Sequence, residues 1–290
     1  MKALRSHLCF RWRKDGNSVN QSDPVLVTAL ACVDYFYARM FRDWPDAVTR
    51  TLGDCTVSFS GDTQLTGANH LWPNTPDALS PIALYEAGKF FAPFHAAWSA
   101  VFTDPYTPHA ADVLADYNYS LRWQSPVLIL SSHPHPCPIN RAARVVRVTT
   151  EAELKTMGQI MSEAFATTNT VNERVARPEH LTDLTIMHYL LYSGDDPASC
   201  ATVAIRAGMA GIWNVGTRRR FRRQGCATTL MIALLDDLRQ RGITASMLMA
   251  SPSGQPIYER LGYRHIGTTM YMRPPHFVQA RSDRHARDFS

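Results

Sequence analysis

Residues 213–230 read WNVGTRRRFRRQGCATTL and carry the clearest structural pattern in the chain. The apolar start predicts a strand, the arginine-rich middle a loop, and Gly225 the point where a helix begins. The first N–H groups of a helix lack partners and lie at its positive end, so they favour an anion. The stretch therefore predicts an anion site; the alternative is a solvated basic loop. Its arginines are Arg218, Arg219, Arg220, Arg222 and Arg223.

A second stretch, residues 251–263, reads SPSGQPIYERLGY. It follows a predicted buried strand, 246–250, and so lies at the carboxyl end of that strand, where open sheets bind ligands. Tyr258 falls on a short predicted helix that Gly262 closes. Taken alone, Tyr258 is typical of a half-buried aromatic residue whose hydroxyl is satisfied locally.

Together the two stretches resemble the GNAT N-acetyltransferase superfamily. RRQGCA, residues 222–227, is similar to its pyrophosphate loop, [QR]-x-x-G-x-[GA], and YERLGY, residues 258–263, to its Y-x-x-x-G-[FY] signature. The resemblance covers about residues 145–272. Loop, amphipathic helix, strand and second signature in this order are more specific than the loop alone. The resemblance implies an α/β fold with a mixed sheet and acyl-CoA as co-substrate.

The resemblance also implies site residues. The strand end near Val215 would pair with the pantetheine arm of acetyl-CoA, and the loop N–H groups would hold its pyrophosphate. Arg222 would fix the loop or reach a phosphate, and Tyr258 would protonate the leaving thiolate. The implied cofactor-binding residues are Val215, Gly216, Thr217, Arg222, Arg223, Gln224, Gly225, Cys226, Ala227, Thr228 and Ser251, and the implied catalytic residues are Tyr258 and Asn214.

The implied chemistry is acyl transfer to an amine. A neutral amine attacks the thioester, the carbonyl oxygen becomes an oxyanion, and a thiolate departs. A backbone N–H near Val215 or Gly216 would stabilise the oxyanion. A phenol, with an ordinary pKa of about 10, can donate its proton to the thiolate.

The sequence departs from the family at the expected general base. Many members place a glutamate on the strand before the loop, whereas residues 211–215 read GIWNV. Ser251 stands where asparagine is common in the family. The base is left open between a water relay at Asn214, His188 and Glu163; His188 is more typical of a satisfied strand histidine.

Charge and length suggest two halves. A chain of 290 residues favours two domains. Residues 1–140 carry ten basic and twelve acidic residues, whereas residues 141–290 carry twenty and thirteen, so the second half is the one expected to meet an anion. We expect a first domain over 1–140, a catalytic domain over 141–273 and a polar tail over 274–290.

The segment between the halves, residues 131–138, reads SSHPHPCP. Alternating proline predicts an extended tether. His133, His135 and Cys137 could be metal ligands, but adjacent x-Pro units give no turn that would wrap a metal, and we expect no metal site.

The first half resembles a degenerate copy of the second. Its predicted helix 81–91, strand 94–102, helix 110–117 and strand 125–130 repeat the order found after residue 225. Laying residues 113–119 over 257–263 places Asn118 on Gly262 and Leu114 on Tyr258. This resembles tandem GNAT proteins with one working half, the first half covering the acceptor side. The alternative is an unrelated α+β domain.

Composition narrows the possible classes of protein. A hydrophobic content of 45% excludes a disordered chain. The six cysteines are scattered without a C-x-x-C pair, which predicts reduced thiols and a cytoplasmic protein. Residues 1–20 lack the apolar stretch of a signal peptide, and the most apolar segments, 25–33 and 90–102, are too short to span a membrane.

We therefore expect an N-acetyltransferase that uses acetyl-CoA and a small-molecule amine, without a membrane or nucleic-acid partner, as a monomer or homodimer. The alternative is a non-catalytic acyl-CoA-binding regulatory module. A third reading, RNA binding through the arginine loop, is weaker because no aromatic stacking platform accompanies the arginines.

Overall fold

The computed structural model describes residues 23–165 and 169–275. One mixed sheet of eleven strands runs through them, in the order β1-β2-β3-β4-β11-β5-β10-β9-β8-β7-β6. The strands are β1 Val48–Leu52, β2 Cys55–Phe59, β3 His70–Pro73, β4 Ser99–Asp104, β5 Ser120–Leu130, β6 Ala143–Arg147, β7 Ile186–Ser193, β8 Asp196–Arg206, β9 Met209–Thr217, β10 Ala245–Met249 and β11 Arg264–Arg273. The α-helices are α1 Pro24–Tyr37, α2 Pro81–Phe91, α3 Ala110–Asp116, α4 Glu151–Phe165, α5 Asn169–Val175, α6 Cys226–Gln240 and α7 Gln255–Arg260.

The two halves exchange strands at the centre of this sheet. β5, from the first half, lies between β10 and β11 and pairs antiparallel with both. β11, from the second half, lies between β4 and β5 and is antiparallel to both. Each half therefore completes the sheet of the other, and no sheet edge separates them.

The two halves also repeat one order of elements. β3, α2, β4, α3 and β5 follow each other as β9, α6, β10, α7 and β11 do. The strand pairs β3–β4 and β9–β10 are both parallel. Asn118 and Gly262, which the sequence aligns, both take a left-handed backbone after their helices, with φ of 57° and 92°. The predicted order of helix, strand, helix and strand is confirmed.

Most predicted helices and strands are present. Residues 61–76 are rich in Gly, Asn and Pro, a composition that favours a loop, but they contain β3. This strand is only four residues long and is buried on both faces, so it shows no alternating pattern. Its polar member, His70, is satisfied by the carbonyl of Gly67 at 3.2 Å. The strand predicted over 94–102 begins only at Ser99, because a 3-10 turn over Ala92–Phe94 precedes it.

The tether between the halves is extended, as predicted, but it is docked onto the second half. The N–H of His135 donates to the carbonyl of Leu261 at 3.0 Å. The Cys137 thiol donates to the carbonyl of Arg260 at 3.5 Å. The N–H of Asn140 donates to Thr229 in the first turn of α6 at 2.8 Å.

One helical stretch, Pro24–Arg42, is long and apolar enough to cross a membrane by length and composition alone. Its apolar face, with Leu26, Ala29 and Val33, is fully buried in the protein core. Helix α1 begins at Pro24, where the side chain of Asp23 accepts from the N–H of Val25 at 2.8 Å. Residues 1–20, for which the sequence predicts no signal peptide, lie outside the described residues. Residues 276–290, which make up most of the predicted polar tail, also lie outside them.

Candidate active site

A cavity opens where two parallel strands separate. β9 and β10 are paired from Met209 and Ala245 as far as Ile212 and Leu248. Beyond that point the N–H of Ala250 turns to the carbonyl of Pro126 in β5, at 3.1 Å. The space between the separated strands has a volume of about 190 Å³. It is lined by Met161, Phe165, Val171, Ile212, Trp213, Asn214, Val215, Leu248, Met249, Ser251 and Tyr258.

A bulge in β9 shapes one wall of this cavity. The register with β8 shifts between the pairs Cys200–Gly216 and Thr202–Trp213. Asn214 lies in the bulge with a left-handed φ of 54°, a conformation that asparagine tolerates better than most residues. The bulge takes Asn214 and Val215 out of the ladder with β8, as bulges beside active sites often do.

Tyr258 lies on the other wall, on α7. Its side chain is buried, and burial raises the pKa of its hydroxyl to about 12. The phenol is therefore protonated throughout the physiological pH range and can donate a hydrogen bond or a proton. The ring rests against Tyr263 in an edge-on arrangement at 5.9 Å, and Tyr263 donates to or accepts from Ser246 at 2.8 Å. The environment thus holds Tyr258 as a neutral acid facing the cavity.

The predicted anion loop ends at an uncapped helix. Gly225 precedes α6 with φ of 76° and offers no side chain to cap the helix. The first intrahelical bond comes from the N–H of Thr229, which donates to the carbonyl of Gly225 at 2.9 Å. The N–H groups of Cys226, Ala227 and Thr228 therefore precede the helical ladder, at the positive end of a fifteen-residue helix.

The five arginines of the loop do not act as one cluster. Arg222 donates to the carbonyls of Thr217 and Ala164 at 3.1 and 3.2 Å, which ties the loop to β9 and α4. Arg218 is paired with Glu163 at 3.5 Å, and Arg220 with Asp196 at 3.1 Å. The side chain of Gln224 also serves the loop, donating to the carbonyl of Arg220 at 2.8 Å.

Three further residues of the loop region help to fix its backbone. Gly216 is confined by α4, since a side chain there would approach the Phe165 ring to 2.9 Å. Thr217 shares a hydroxyl hydrogen bond of 2.9 Å with Ser199 on the neighbouring strand. Arg223 adopts a left-handed φ of 61° two residues before Gly225, and these two positive φ values turn the chain into α6.

Among the described residues that line the cavity, none is a carboxylate. Glu163 accepts from the N–H of Arg219 at 2.9 Å and thereby anchors the loop. His188 is buried, and burial lowers its pKa to about 3. The histidine reaches the cavity only through an intermediate, because its Nδ1 contacts the Thr202 hydroxyl at 3.0 Å and the Asn214 amide donates to the same hydroxyl at 3.3 Å.

The sequence did not point to several residues that build the site. Met161, Phe165 and Trp213 supply apolar walls, and they carry no motif that separates them from core residues. Trp213 stacks on Phe36 of α1 at 4.3 Å, so the first half supports the cavity wall. Asn140 lies beside Gly225, its backbone nitrogen 3.6 Å from where a side chain would begin. Contacts across the fold of this kind leave no local sequence signal.

Comparison with known proteins assigns the second half to a family. Residues 145–266 match the family model described as an acetyltransferase (GNAT) domain. The second half is therefore similar to GNAT acetyltransferase domains. No curated protein sequence matched the chain.

The fold of nearly the whole chain is shared with solved GNAT structures. A GCN5-related N-acetyltransferase from Kribbella flavida is 19% identical with a TM-score of 0.68, over 86% of this chain and 95% of that one. One from Sphaerobacter thermophilus is 16% identical with a TM-score of 0.58, over 86% and 91%. A tandem GNAT protein from the clavulanic acid biosynthesis pathway is 14% identical with a TM-score of 0.58, over 87% and 95%.

These likenesses extend the GNAT fold beyond the matched domain. The last protein is itself a tandem GNAT protein, and it covers both halves of this chain. The α/β fold with a mixed sheet that the resemblance implied is confirmed, and the GNAT domain supports acyl transfer in general. Within residues 23–165 and 169–275, no group of three or more potential metal ligands occurs.

Proposed function

We propose that residues 141–273 transfer an acetyl group from acetyl-CoA to a small-molecule amine. The observation that carries the proposal is the shared cavity of Tyr258 and the β9 bulge at Asn214. A protonated phenol and an interrupted strand ladder face each other there. One can supply a proton to a leaving group, and the other a backbone N–H to a developing oxyanion.

Acetyl-CoA would enter along the strand end and the loop. Its pyrophosphate would accept hydrogen bonds from the first-turn N–H groups of α6, from Cys226 to Thr228. Gly225 keeps the approach clear of a side chain. The pantetheine arm would follow β9 beside Val215, which the bulge has released from β8.

In the proposed reaction, the amine nitrogen forms a bond to the thioester carbon. The carbonyl oxygen becomes an oxyanion, and the N–H of Val215 or Gly216 stabilises it. The carbon–sulfur bond breaks as the oxyanion collapses. Tyr258 gives its proton to the departing thiolate, while the amine proton leaves through solvent. CoA thiol and an N-acetylated amine are the products.

The base that accepts the amine proton is a water molecule held at Asn214 in this proposal. The Asn214 amide lines the cavity, whereas Glu163 is engaged by the loop backbone and His188 lies behind Thr202. A histidine whose pKa is lowered to about 3 is also a poor base at neutral pH.

Because no carboxylate occurs among the described lining residues, a second function stays a candidate. The protein could bind acyl-CoA without turnover, as a regulatory module. The five free thiols among the described residues, Cys32, Cys55, Cys137, Cys200 and Cys226, are consistent with the reducing cytoplasm that either function would share. Oligomeric state does not distinguish the two, since a monomer or a homodimer suits both.

Replacing Tyr258 separates the enzyme from the binding module. Tyr258→Phe is expected to lower kcat by about 10²–10⁴, the usual contribution of a general acid, with acetyl-CoA affinity nearly unchanged. Tyr263→Phe is the matched control, because it also removes a buried hydroxyl but one bonded to Ser246 outside the cavity. Free-thiol release across a panel of amines gives the rates. Acetyl-CoA binding by wild type with no turnover of any amine would favour the regulatory module.

Two substitutions test which group acts as the base. Glu163→Gln keeps an acceptor for the Arg219 N–H and removes the charge, so kcat should hold if Glu163 only anchors the loop. Asn214→Gly keeps the left-handed backbone and removes the amide, so kcat should fall while the KM for acetyl-CoA holds. The reverse pattern would transfer the role of base to Glu163.

A further inference from the structure

An open apolar groove lies on the first half, between α2 and the end of α3. Its volume is about 1000 Å³. Leu84, Tyr85 and Gly88 of α2 form one wall, and Tyr117 and Asn118 form the other. Tyr85 and Tyr117 are exposed at 67% and 47%. The Lys89 ammonium covers part of the Tyr85 ring, at 5.4 Å from its centre, and two exposed aromatic side chains beside one groove indicate a surface that binds a partner. The groove is separate from the proposed acetyl-transfer cavity.

The corresponding groove of the second half is filled by the chain itself. There α6 takes the place of α2, and α7 the place of α3. The tether that follows β5 enters near the end of α6, where Arg239 donates to the carbonyl of Ser132. It passes the end of α7 through the bond from His135 to Leu261, and reaches the first turn of α6 at Thr229.

The repeat predicts which segment would fill the open groove. β5 and β11 are the exchanged strands of the two halves, and the tether is the segment that leaves β5. The segment that leaves β11 is the C-terminal tail, and its first two residues, Pro274 and Pro275, already line the groove. Both segments open with a proline-rich stretch, which favours extended chain.

The sequence and length of the tail suit this groove. From Pro81 to Ala92 the helix spans about 16 Å, a distance that about five extended residues cover. Fifteen residues, 276–290, follow Pro275. Phe277 and Val278 come among the first of them and are apolar, as the groove is. Burying two such side chains against the groove would stabilise the docked tail.

We propose that residues 276–280 of the C-terminal tail dock in the groove between α2 and the end of α3. They occupy on the first half the position that the tether occupies on the second.

Cross-linking in the full chain tests the proposal. Phe277→p-benzoylphenylalanine is irradiated, and the adducts are located by mass spectrometry. Adducts within one chain to Leu84, Tyr85 or Tyr117 are expected. Gly88→Trp should abolish them by filling the groove, since a Cβ at Gly88 meets nothing within 4 Å, and circular dichroism checks that the variant is folded. Gly88→Ala is the control that leaves the groove open.

Hydrogen exchange supplies a second readout that needs no cross-linker. The double variant Phe277→Asp, Val278→Asp should raise amide exchange in α2 by about tenfold, a loss of about 1.4 kcal/mol of local protection. Unchanged exchange in α2 would overturn the proposal. Adducts only between chains, which indicate a second copy, or adducts that persist in Gly88→Trp would overturn it as well.

Discussion

The clefts of the two halves share a backbone plan but differ in chemistry. Both lie where a parallel strand pair separates, β3–β4 in one half and β9–β10 in the other. In the first half, the Tyr106 hydroxyl donates to the carbonyl of Asn74 at 2.9 Å and so links the chain after β4 to the end of β3. In the second half, the equivalent space is the cavity that Asn214 and Tyr258 line.

The N-termini of α2 and α6 also differ in their chemistry. α2 is capped by its own Ser80, which accepts from the N–H of Ala83 at 3.2 Å, and Pro81 removes one further donor. Counted back from the helix start, Asp77 stands where Arg222 stands in the second half. An anion at α2 would meet a satisfied helix end and a carboxylate. Under the proposed function, a few residues at the start of α2 and of α6 would decide which half holds a phosphate, while both halves keep the same fold.

The largest expected effect comes from separating the halves. Residues 141–290 alone lack β5, so β10 and β11 lose a shared partner strand and expose unpaired backbone. We expect no soluble folded protein from this fragment, and recovery when residues 1–140 are co-expressed. Soluble yield and circular dichroism give the result. A soluble and fully active fragment would show that the halves are independent modules.

The next largest effect is expected at the start of α6, where a substitution should abolish acetyl-CoA binding. At 100 times Kd, acetyl-CoA should stabilise wild type by about 2.7 kcal/mol, a rise in Tm of roughly 5 °C. Gly225→Glu should remove this rise by placing bulk and negative charge at the anion site.

Two controls isolate the cause of that loss. Gly208→Glu introduces a side chain at the same φ of 76° in a turn where it meets nothing within 4 Å. Ser80→Glu changes the helix start of the first half. Both should keep the full rise in Tm with acetyl-CoA, and a loss in Ser80→Glu would place a second CoA site in the first half.

A smaller difference in the free energy of unfolding is expected between substitutions at Gly262, after α7, and at Asn118, after α3. Gly262→Asn should lower the free energy of unfolding by about 2 kcal/mol, because φ is 92° and a side chain would approach the His135 ring to 2.9 Å. Asn118→Gly, its counterpart beside the open groove, should change it by less than about 0.5 kcal/mol. Urea unfolding measures both. Equal effects would mean that the tether does not press on Gly262.

The smallest effect is an acid destabilisation that both halves share. Burial lowers the pKa of His70 in β3 to about 4 and that of His188 in β7 to about 3. The unfolded chain binds these protons near pH 6.5 and the folded chain does not, so stability is full above that pH and falls as the pH drops. Between pH 7.5 and 5.5 each histidine should cost about 1 kcal/mol.

Single variants divide this pH dependence between the halves. His70→Gln and His188→Gln should each flatten the loss of unfolding free energy between pH 7.5 and 5.5 by about 1 kcal/mol. Equal contributions are expected because one continuous sheet unfolds as a unit. A dependence on His188 alone, with two unfolding transitions, would indicate that the first half unfolds separately.

Local patterns predicted the elements that carry the site. α2 begins and ends at the predicted residues, and Pro81 lies in its first turn. α4 also begins at a local start signal, because Thr149 and Thr150 directly precede Glu151. The Glu153 carboxylate accepts from the N–H of Thr150 at 3.1 Å, as the local spacing predicts. The strand, loop and helix around Gly225 also follow from neighbours in sequence.

What the sequence by itself determined is the chemistry within short segments: the uncapped helix start at Gly225, the tyrosine of YERLGY, and the substitution of Leu114 for that tyrosine in the first half. Only the tertiary structure decided that β5 and β11 are exchanged, that the tether is docked on α7, and that Asn214 lies in a bulge. The reason is physical. Strand pairing and docking use backbone N–H and carbonyl groups, which every residue carries, so the choice of partner depends on the whole fold rather than on local side chains.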